Sequence, residues 1–296
     1  MYTLDLTNVD VVVDALMAGA DACLNASCRL GSIDFIEAPG QLIATGDTHD
    51  HPLNFKAVLS AAGLDGEFGA EQKHLTLHEI IHPELSDDQP IDYSFRGLTR
   101  IAYLKSQHPD LVHVLLANHE LAQAIGSGIM KNGLRVVDAF NAGVDEIFGS
   151  DAERVHEAIR QFVFAMPLAL RCRCPHGDIL CAHSLPGPAM MGRFDPSILE
   201  RDMTMDDYQP RVGSAHMMVW GRGYDSDQLE DLTERWGVNL FLLGHEHAPK
   251  GYAVVEPNAI VLNTDHNRGV YLPIDLDDEV TVDKCISNIV PIGSRF

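Results

Sequence analysis

The stretch Leu111-Val-His-Val-Leu-Leu-Ala-Asn-His-Glu120 decides how this chain is read. Its Val- and Leu-rich first part has the composition of a buried strand. Asn118-His119-Glu120 then ends that strand in groups able to bind metal or move a proton. Working outward, Gly46-Asp47-Thr48-His49 closes an earlier apolar run, Cys181-Ala182-His183 a later one, and Gly244-His245-Glu246-His247 another. Strand ends that repeatedly carry imidazole, carboxamide or carboxylate point to one active site built at the edge of a sheet.

The bulk composition limits what such a site serves. The chain has 296 residues, 46% of them hydrophobic, enough for one large domain with a substantial core. A formal charge of -22 argues against a nucleic-acid duplex or an anionic membrane as partner. The amino-terminal residues lack the basic start and apolar stretch of a secretory signal, and no apolar run approaches the roughly 18 to 20 residues that span a bilayer. A cytoplasmic location is the expectation. The six cysteines are too sparse for a disulfide scaffold and are expected to be reduced thiols. Cys172-Arg-Cys174 with His176 allows either a small metal site or simple alternation along a strand.

Hydrophobic periodicity predicts helices over 8–25, 53–62 and 94–107, and strands over 32–37, 41–45, 74–81 and 111–116. The span 121–166 reads as largely helical. Beyond it, strands are expected at 168–174, 178–182, 215–219, 238–243, 251–255, 259–263 and 270–275. This alternation predicts an α/β fold of layered helices and sheets. A single domain over 1–296 is expected, with residues 1–40 as an amino-terminal extension and the Pro- and acid-rich stretch 83–92 as an inserted loop.

A carboxylate, a carboxamide and several imidazoles suit manganese, iron or zinc better than calcium. The order Gly46-Asp47-Thr48-His49, Asn118-His119-Glu120, His183 and Gly244-His245-Glu246-His247 resembles the calcineurin-like metallophosphoesterases, and more closely their phosphoprotein phosphatase branch, over roughly residues 41–276. The resemblance extends to Val219-Trp220-Gly-Arg222-Gly and to Ile260-Val-Leu-Asn-Thr-Asp-His-Asn-Arg-Gly-Val270. It implies an α/β/β/α sandwich with a two-metal site at the strand ends. Asp47, His49 and His247 would hold one manganese, iron or zinc ion, and Asn118, His183 and His245 the other. It further implies a phosphomonoesterase that uses metal-activated hydroxide, with His119 as general acid and a phosphorylated protein or small phosphoester as substrate.

One motif departs from the pattern. The family's Gly-Asp-x-x-Asp-Arg-Gly aligns with His78-Glu79-Ile80-Ile81-His82-Pro83. Glu79 therefore takes the bridging position, His82 replaces the aspartate that orients the general acid, and Pro83 replaces an arginine that grips phosphate. The arginine usual before Asn-His-Glu is also missing, so another cation is required; Arg222 is the first candidate, followed by Arg96 and Arg268. His266, His51 and Asp50 are candidates to line the pocket. The altered motif leaves two further readings, a dinucleoside polyphosphate hydrolase and a catalytically weak phosphate-binding regulatory protein.

Overall fold

A computed structural model describes residues 4–66, 69–86, 90–131 and 133–293. In chain order its helices and strands are α1 (Val9–Asn25), β1 (Arg29–Leu30), β2 (Ile33–Glu37), β3 (Gln41–Thr45), α2 (Pro52–Ala61), β4 (His74–Leu77), α3 (Phe95–Gln107), β5 (Val112–Val114), α4 (Asn118–Ile125), β6 (Met130–Lys131), β7 (Leu134–Arg135), α5 (Val136–Phe148) and α6 (Ala152–Ala165). There follow β8 (Ala169–Arg173), β9 (Asp178–Ala182), α7 (Ser214–Trp220), α8 (Ser226–Trp236), β10 (Val238–Leu243), β11 (Tyr252–Val255), β12 (Ala259–Leu262), β13 (Val270–Asp275), α9 (Val282–Asn288) and β14 (Val290–Pro291).

Among the described residues the strands form a seven-stranded sheet, ordered β1-β2-β8-β9-β10-β12-β11, a five-stranded sheet, ordered β14-β13-β3-β4-β5, and the small β6-β7 hairpin. Strand periodicity explains the layering, because alternate side chains leave opposite faces. Leu42 and Ala44 of β3, Ile179 and Cys181 of β9, and Leu240 and Leu242 of β10 share one apolar cluster between the two sheets. Their neighbours Ile43, Leu180 and Phe241 belong to a second cluster with the helices. Helices α2 and α3 pack on β3 and β5, and α8 packs on β10. The result is the expected mixed α/β architecture, with helices outside two packed sheets. All six cysteines are buried free thiols, and Cys172 and Cys174 flank the exposed Arg173, as alternation along β8 requires.

Residues 4–40 are part of these layers. Helix α1 packs against α3 and α6, and β2 lies beside β8 in the larger sheet. Asn8 caps α1 by accepting from the backbone N–H groups of Asp10 and Val11 at 3.0 and 3.4 Å. The expected 83–92 loop falls partly outside the described residues, at 87–89.

Three expectations need correction. The segment 215–219 is helix α7: a short apolar run does not distinguish strand from helix, and here His216 and Trp220 stack one helical turn apart, their ring centroids 5.8 Å apart. The 74–81 strand stops at Leu77, because Glu79 adopts a left-handed φ of 46° that no strand accommodates. The span 121–166 is largely helical in α4, α5 and α6, but the reading lacked the β6-β7 hairpin between them, with Gly126 at φ 66° ending α4 and Gly133 at φ 82° in the turn.

A buried polar network ties the smaller sheet to the larger. His113 on β5 donates through Nδ1 to Asp34 Oδ2 on β2 at 2.7 Å, and Lys105 Nζ and Arg29 lie 3.8 and 3.9 Å from the same carboxylate. Cys28, Asp34 and His113 come close enough to suggest a metal site. The nearby ammonium and guanidinium already neutralise the aspartate, so a cation there has no charge to satisfy. Burial pushes the Asp34 carboxyl up, but the His113 hydrogen bond and the charges of His113, Lys105 and Arg29 outweigh it and hold it below its usual value. A depressed carboxyl contributes stability above its unfolded pKa of about 3.9 and loses it as pH falls through the folded value. Lys105→Met should therefore lower stability at pH 7 by roughly 3 kcal/mol, the scale for stranding one member of a buried pair. Denaturant unfolding should show the deficit shrinking below about pH 4, as Asp34 protonates in both proteins.

Candidate metal centre

The parallel strands of both sheets deliver their carboxyl ends to one place. Just after β3, Asp47 forms isolated parallel bridges with His78 beyond β4 and with Asn263 beyond β12, and its carbonyl accepts from Thr264 N at 3.0 Å. Asp47 thus joins the two sheets at their seam. The preceding Gly46 has no alternative there, since a Cβ would collide with the Leu262 carbonyl. The Asp47 carboxylate accepts from His245 N, at 2.8 Å to Oδ1 and 3.1 Å to Oδ2. Gly244 completes the contact: a Cβ on it would run into Asp47 Oδ1 and the His78 ring.

Four site residues hold left-handed backbone conformations that side chains other than glycine's disfavour: His49 at φ 40°, Glu79 at 46°, His82 at 59° and His245 at 68°. Each conformation costs on the order of 1–3 kcal/mol and persists because the surroundings enforce it. Around Glu79 the enforcing group is Glu120. Its Oε1 accepts from the N–H groups of Ile80 and Ile81, the latter at 3.1 Å, clamping the turn that aims Glu79 inward. Glu120 is thus an anchor for the divergent motif.

The donors converge in two groups. Asn118 Oδ1 is 2.7 Å from His183 Nε2 and 3.0 Å from His245 Nδ1, and those two nitrogens are 3.1 Å apart. Glu79 Oε2 is 3.6 Å from the same His183 nitrogen. On the other side, Glu79 Oε1 lies 3.8 Å from His49 Nε2 and 3.3 Å from His119 Nε2. The Ile81 carbonyl fixes the His49 ring by accepting from Nδ1 at 2.9 Å, leaving Nε2 to face the glutamate. Glu79 therefore spans both groups, as a bridging carboxylate must. The Asp47 carboxylate also hydrogen-bonds the Glu79 side chain, and its Oδ1 lies 3.6 Å from Nδ1 of both His78 and His183. His247 stands apart from these buried clusters: it is exposed and lines a cavity of about 530 Å³ with His49, His51, Asp50, Asp265 and His266.

Electrostatics make this a place for cations. Burial lowers His49 and His245 to about 3 and pushes His183 well down, so all three imidazoles are neutral, the form that ligates a metal. Burial raises Asp47 to about 6, and burial together with the Asp47 charge drives Glu79 up. Two carboxyl groups crowded beside neutral nitrogens form a donor set that fits a bound cation. Asp265 was not foreseen; its charge adds to the raising of Asp47, and its buried Oδ1 has no partner among the described residues.

His119 is held by a directional chain. Gln123 Nε2 donates to Asn141 Oδ1 at 2.7 Å, which leaves Gln123 Oε1 to accept from His82 Nε2 at 3.2 Å. His82 Nδ1 then faces His119 Nδ1 at 3.1 Å and accepts its proton, so His119 Nε2 is the atom turned to the site. Of the expected cations, Arg222 donates to the His245 carbonyl at 2.9 Å and borders the centre. Arg96 instead lies over the Tyr93 ring, 4.9 Å from its centroid, and exposed Arg268 uses its backbone N–H to donate to His266 Nδ1. A further cation escaped the sequence reading. Lys131 on the β6-β7 hairpin donates to the His82 carbonyl at 3.4 Å, and its charge acts on Glu79, His49 and His119. The largely helical reading of 121–166 did not foresee the hairpin that carries it.

The mixed α/β architecture, with helices outside two packed sheets, is a fold shared with solved phosphatase structures. A protein serine/threonine phosphatase from Saccharomyces cerevisiae superposes with a TM-score of 0.65 at 14% identity, covering 97% of this chain and 93% of that one. A cold-active protein-tyrosine phosphatase from Shewanella superposes with a TM-score of 0.57 at 14% identity, covering 91% and 83%. No protein-family model matches the sequence, and no curated protein matches it significantly. No helix among the described residues is long and apolar enough to cross a membrane.

Gly244→Ala tests the packing of the centre. The added methyl must displace Asp47 or His78, so uptake of manganese or zinc, followed by elemental analysis after dialysis, should fall by at least tenfold while circular dichroism keeps its α/β signature. Unchanged uptake would show that Asp47 and His78 need not sit where they do.

Proposed function

We propose that the protein is a metal-dependent phosphomonoesterase whose substrate carries its phosphate on a protein side chain or small alcohol. The observation that carries this reading is the convergence of Asp47, Glu79, Asn118, His183 and His245 at the seam of the two sheets, with His119 Nε2 at their edge. His49 and His247 complete the proposed ligand set on the outer side, facing the cavity they share. A bound pair of manganese, iron or zinc ions would supply a nucleophilic hydroxide near neutral pH and neutralise charge on the phosphoryl oxygens.

The chain's own residues account for the rest. As general acid His119 would act as the imidazolium, donating through Nε2 to the departing oxygen while His82 holds its Nδ1–H in place of the usual aspartate. Burial disfavours that charged form, so the negative charge of a bound phosphate must offset it. Arg222, bound to the His245 carbonyl, and Lys131, bound to the His82 carbonyl, are assigned to hold the phosphate where the family's two arginines are missing. Beyond Arg222 opens a groove of about 770 Å³ lined by Trp220, His216, Met190, Met217 and Arg211. Its size and apolar wall suit the body of a substrate whose phosphate reaches the metals.

Elemental analysis and a phosphoester panel test the whole reading: metal-replete protein should hydrolyse aryl phosphates and phosphopeptides faster than a dinucleoside tetraphosphate, and inactivity on all of them would sink it. His119→Asn should lower kcat on the order of 100- to 10,000-fold while metal content stays at the wild-type level. Lys131→Ala should raise KM with less effect on kcat. Glu79→Asp should impair turnover if the longer carboxylate is adapted to this site; gain of activity would instead favour a protein that has given up catalysis.

A further inference from the structure

The groove beyond Arg222 has the opposite charge to the chain as a whole. Of the described residues that line it, Arg211 and Arg222 are cationic and none is a carboxylate, in a protein whose formal charge is -22. The acids nearest to these arginines along the chain are engaged elsewhere. Asp206 accepts from the Gln209 side chain, Asp207 from Arg201 and Glu246 from the Gly223 N–H, each at 2.7 Å. More distant carboxylates count for little, because salt screens exposed charges beyond about 8–10 Å. Arg222 is bound to the His245 carbonyl at 2.9 Å, whereas the Arg211 side chain has no hydrogen-bond or ion-pair partner among the described residues. The backbone of Arg211 is fixed all the same: it adopts φ 67° in the turn before α7, and its N–H donates to His216 Nδ1 at 3.3 Å. His216 stacks on Trp220 with ring centroids 5.8 Å apart, and the Trp220 ring meets His245 edge-on at 6.3 Å. A ladder of rings thus leads from the metal centre to the turn that carries Arg211.

We propose that the groove selects an acidic phosphopeptide: with the phosphate at the metal centre, the peptide crosses the Trp220 and His216 wall, and Arg211 holds a carboxylate further along it. The inference rests on the phosphomonoesterase reading above and names the substrate class of that site. The ring spacings of 6.3 and 5.8 Å set the distance of that carboxylate from the phosphorylated residue, about three or four positions of extended chain at roughly 3.3 Å per residue. A small phosphoester would occupy only the end of the 770 Å³ groove beside Arg222 and leave Arg211 without a role. The planar guanidinium fork matches a carboxylate, and a wall of aromatic and methionine side chains suits the apolar parts of the peptide between the two anions.

The test uses manganese-replete full-length protein and phosphopeptides that carry a single Asp at successive positions on either side of the phosphorylated residue, each with its Asn counterpart. Wild-type kcat/KM should favour Asp over Asn by about threefold to fivefold, the scale of an exposed ion pair, at about three or four positions on one side only. The preference should lie in KM and fade in about 1 M salt. Arg211→Gln should abolish it, Arg211→Lys should keep most of it, and Arg211→Glu should transfer it to a peptide with Lys at that position. Because the Asp-to-Asn ratio is read within each protein, differences in folding or metal content cancel. Equal rates for Asp and Asn peptides overturn the proposal, as does a preference that survives Arg211→Gln or that is the same at every position. Faster turnover of a small bisphosphate than of every peptide also overturns it. Protein inactive on all phosphoesters would overturn the phosphomonoesterase reading and this inference with it, whereas activity without positional preference overturns this inference alone.

Discussion

The structure depends on a buried junction at Asp47, where backbone bridges from β3 reach toward both sheets and a carboxylate is held by the His245 N–H. Two sheets packed through apolar side chains alone could slide past one another at little cost. Asp47 fixes their register at the point where the parallel strands run out, and so decides which strand ends meet. Every donor in the centre is placed relative to that seam. Gly46 and Gly244 are consequences of it, because neither position has room for a Cβ.

Convergence at the seam has an electrostatic cost. Asp47, Glu79 and Glu120 are all buried within reach of one another, and burial raises all three. Glu120 offsets part of this by accepting two backbone N–H groups, while Asp47 and Glu79 crowd against neutral imidazoles. Such an arrangement is poor for stability without cations and well suited to holding them. The left-handed turns at His49, Glu79, His82 and His245 belong to the same trade.

The departures from the resembling family form a pattern. Where that family has glycine and aspartate, this chain has His78 and His82, and the Nδ1 of each faces the Nδ1 of a histidine of the centre, His183 or His119, at 3.1 Å. Both supporting rings are themselves oriented from the far side, by the Thr45 carbonyl and by Gln123. Histidine pairs thus stand where the resembling family has a glycine and an aspartate. Lys131 and Arg222 bring cations from elements that the resemblance would not have singled out together.

By itself the sequence determined the α/β class, most of the strands and most of the polar residues that meet at the seam. Those follow from local signals: apolar periodicity marks buried strands, and polar groups at strand ends mark where chemistry is exposed. It did not place α7, which a short apolar run left open between helix and strand, nor the β6-β7 hairpin that carries Lys131. Tertiary structure alone decided that Glu120 clamps the Glu79 turn, that His247 stays at an exposed rim, and that His78 pairs with His183. These contacts join residues far apart in the chain, and depend on the register of two sheets across an apolar interface. No local periodicity encodes that register; the packing of Asp47 at the seam does.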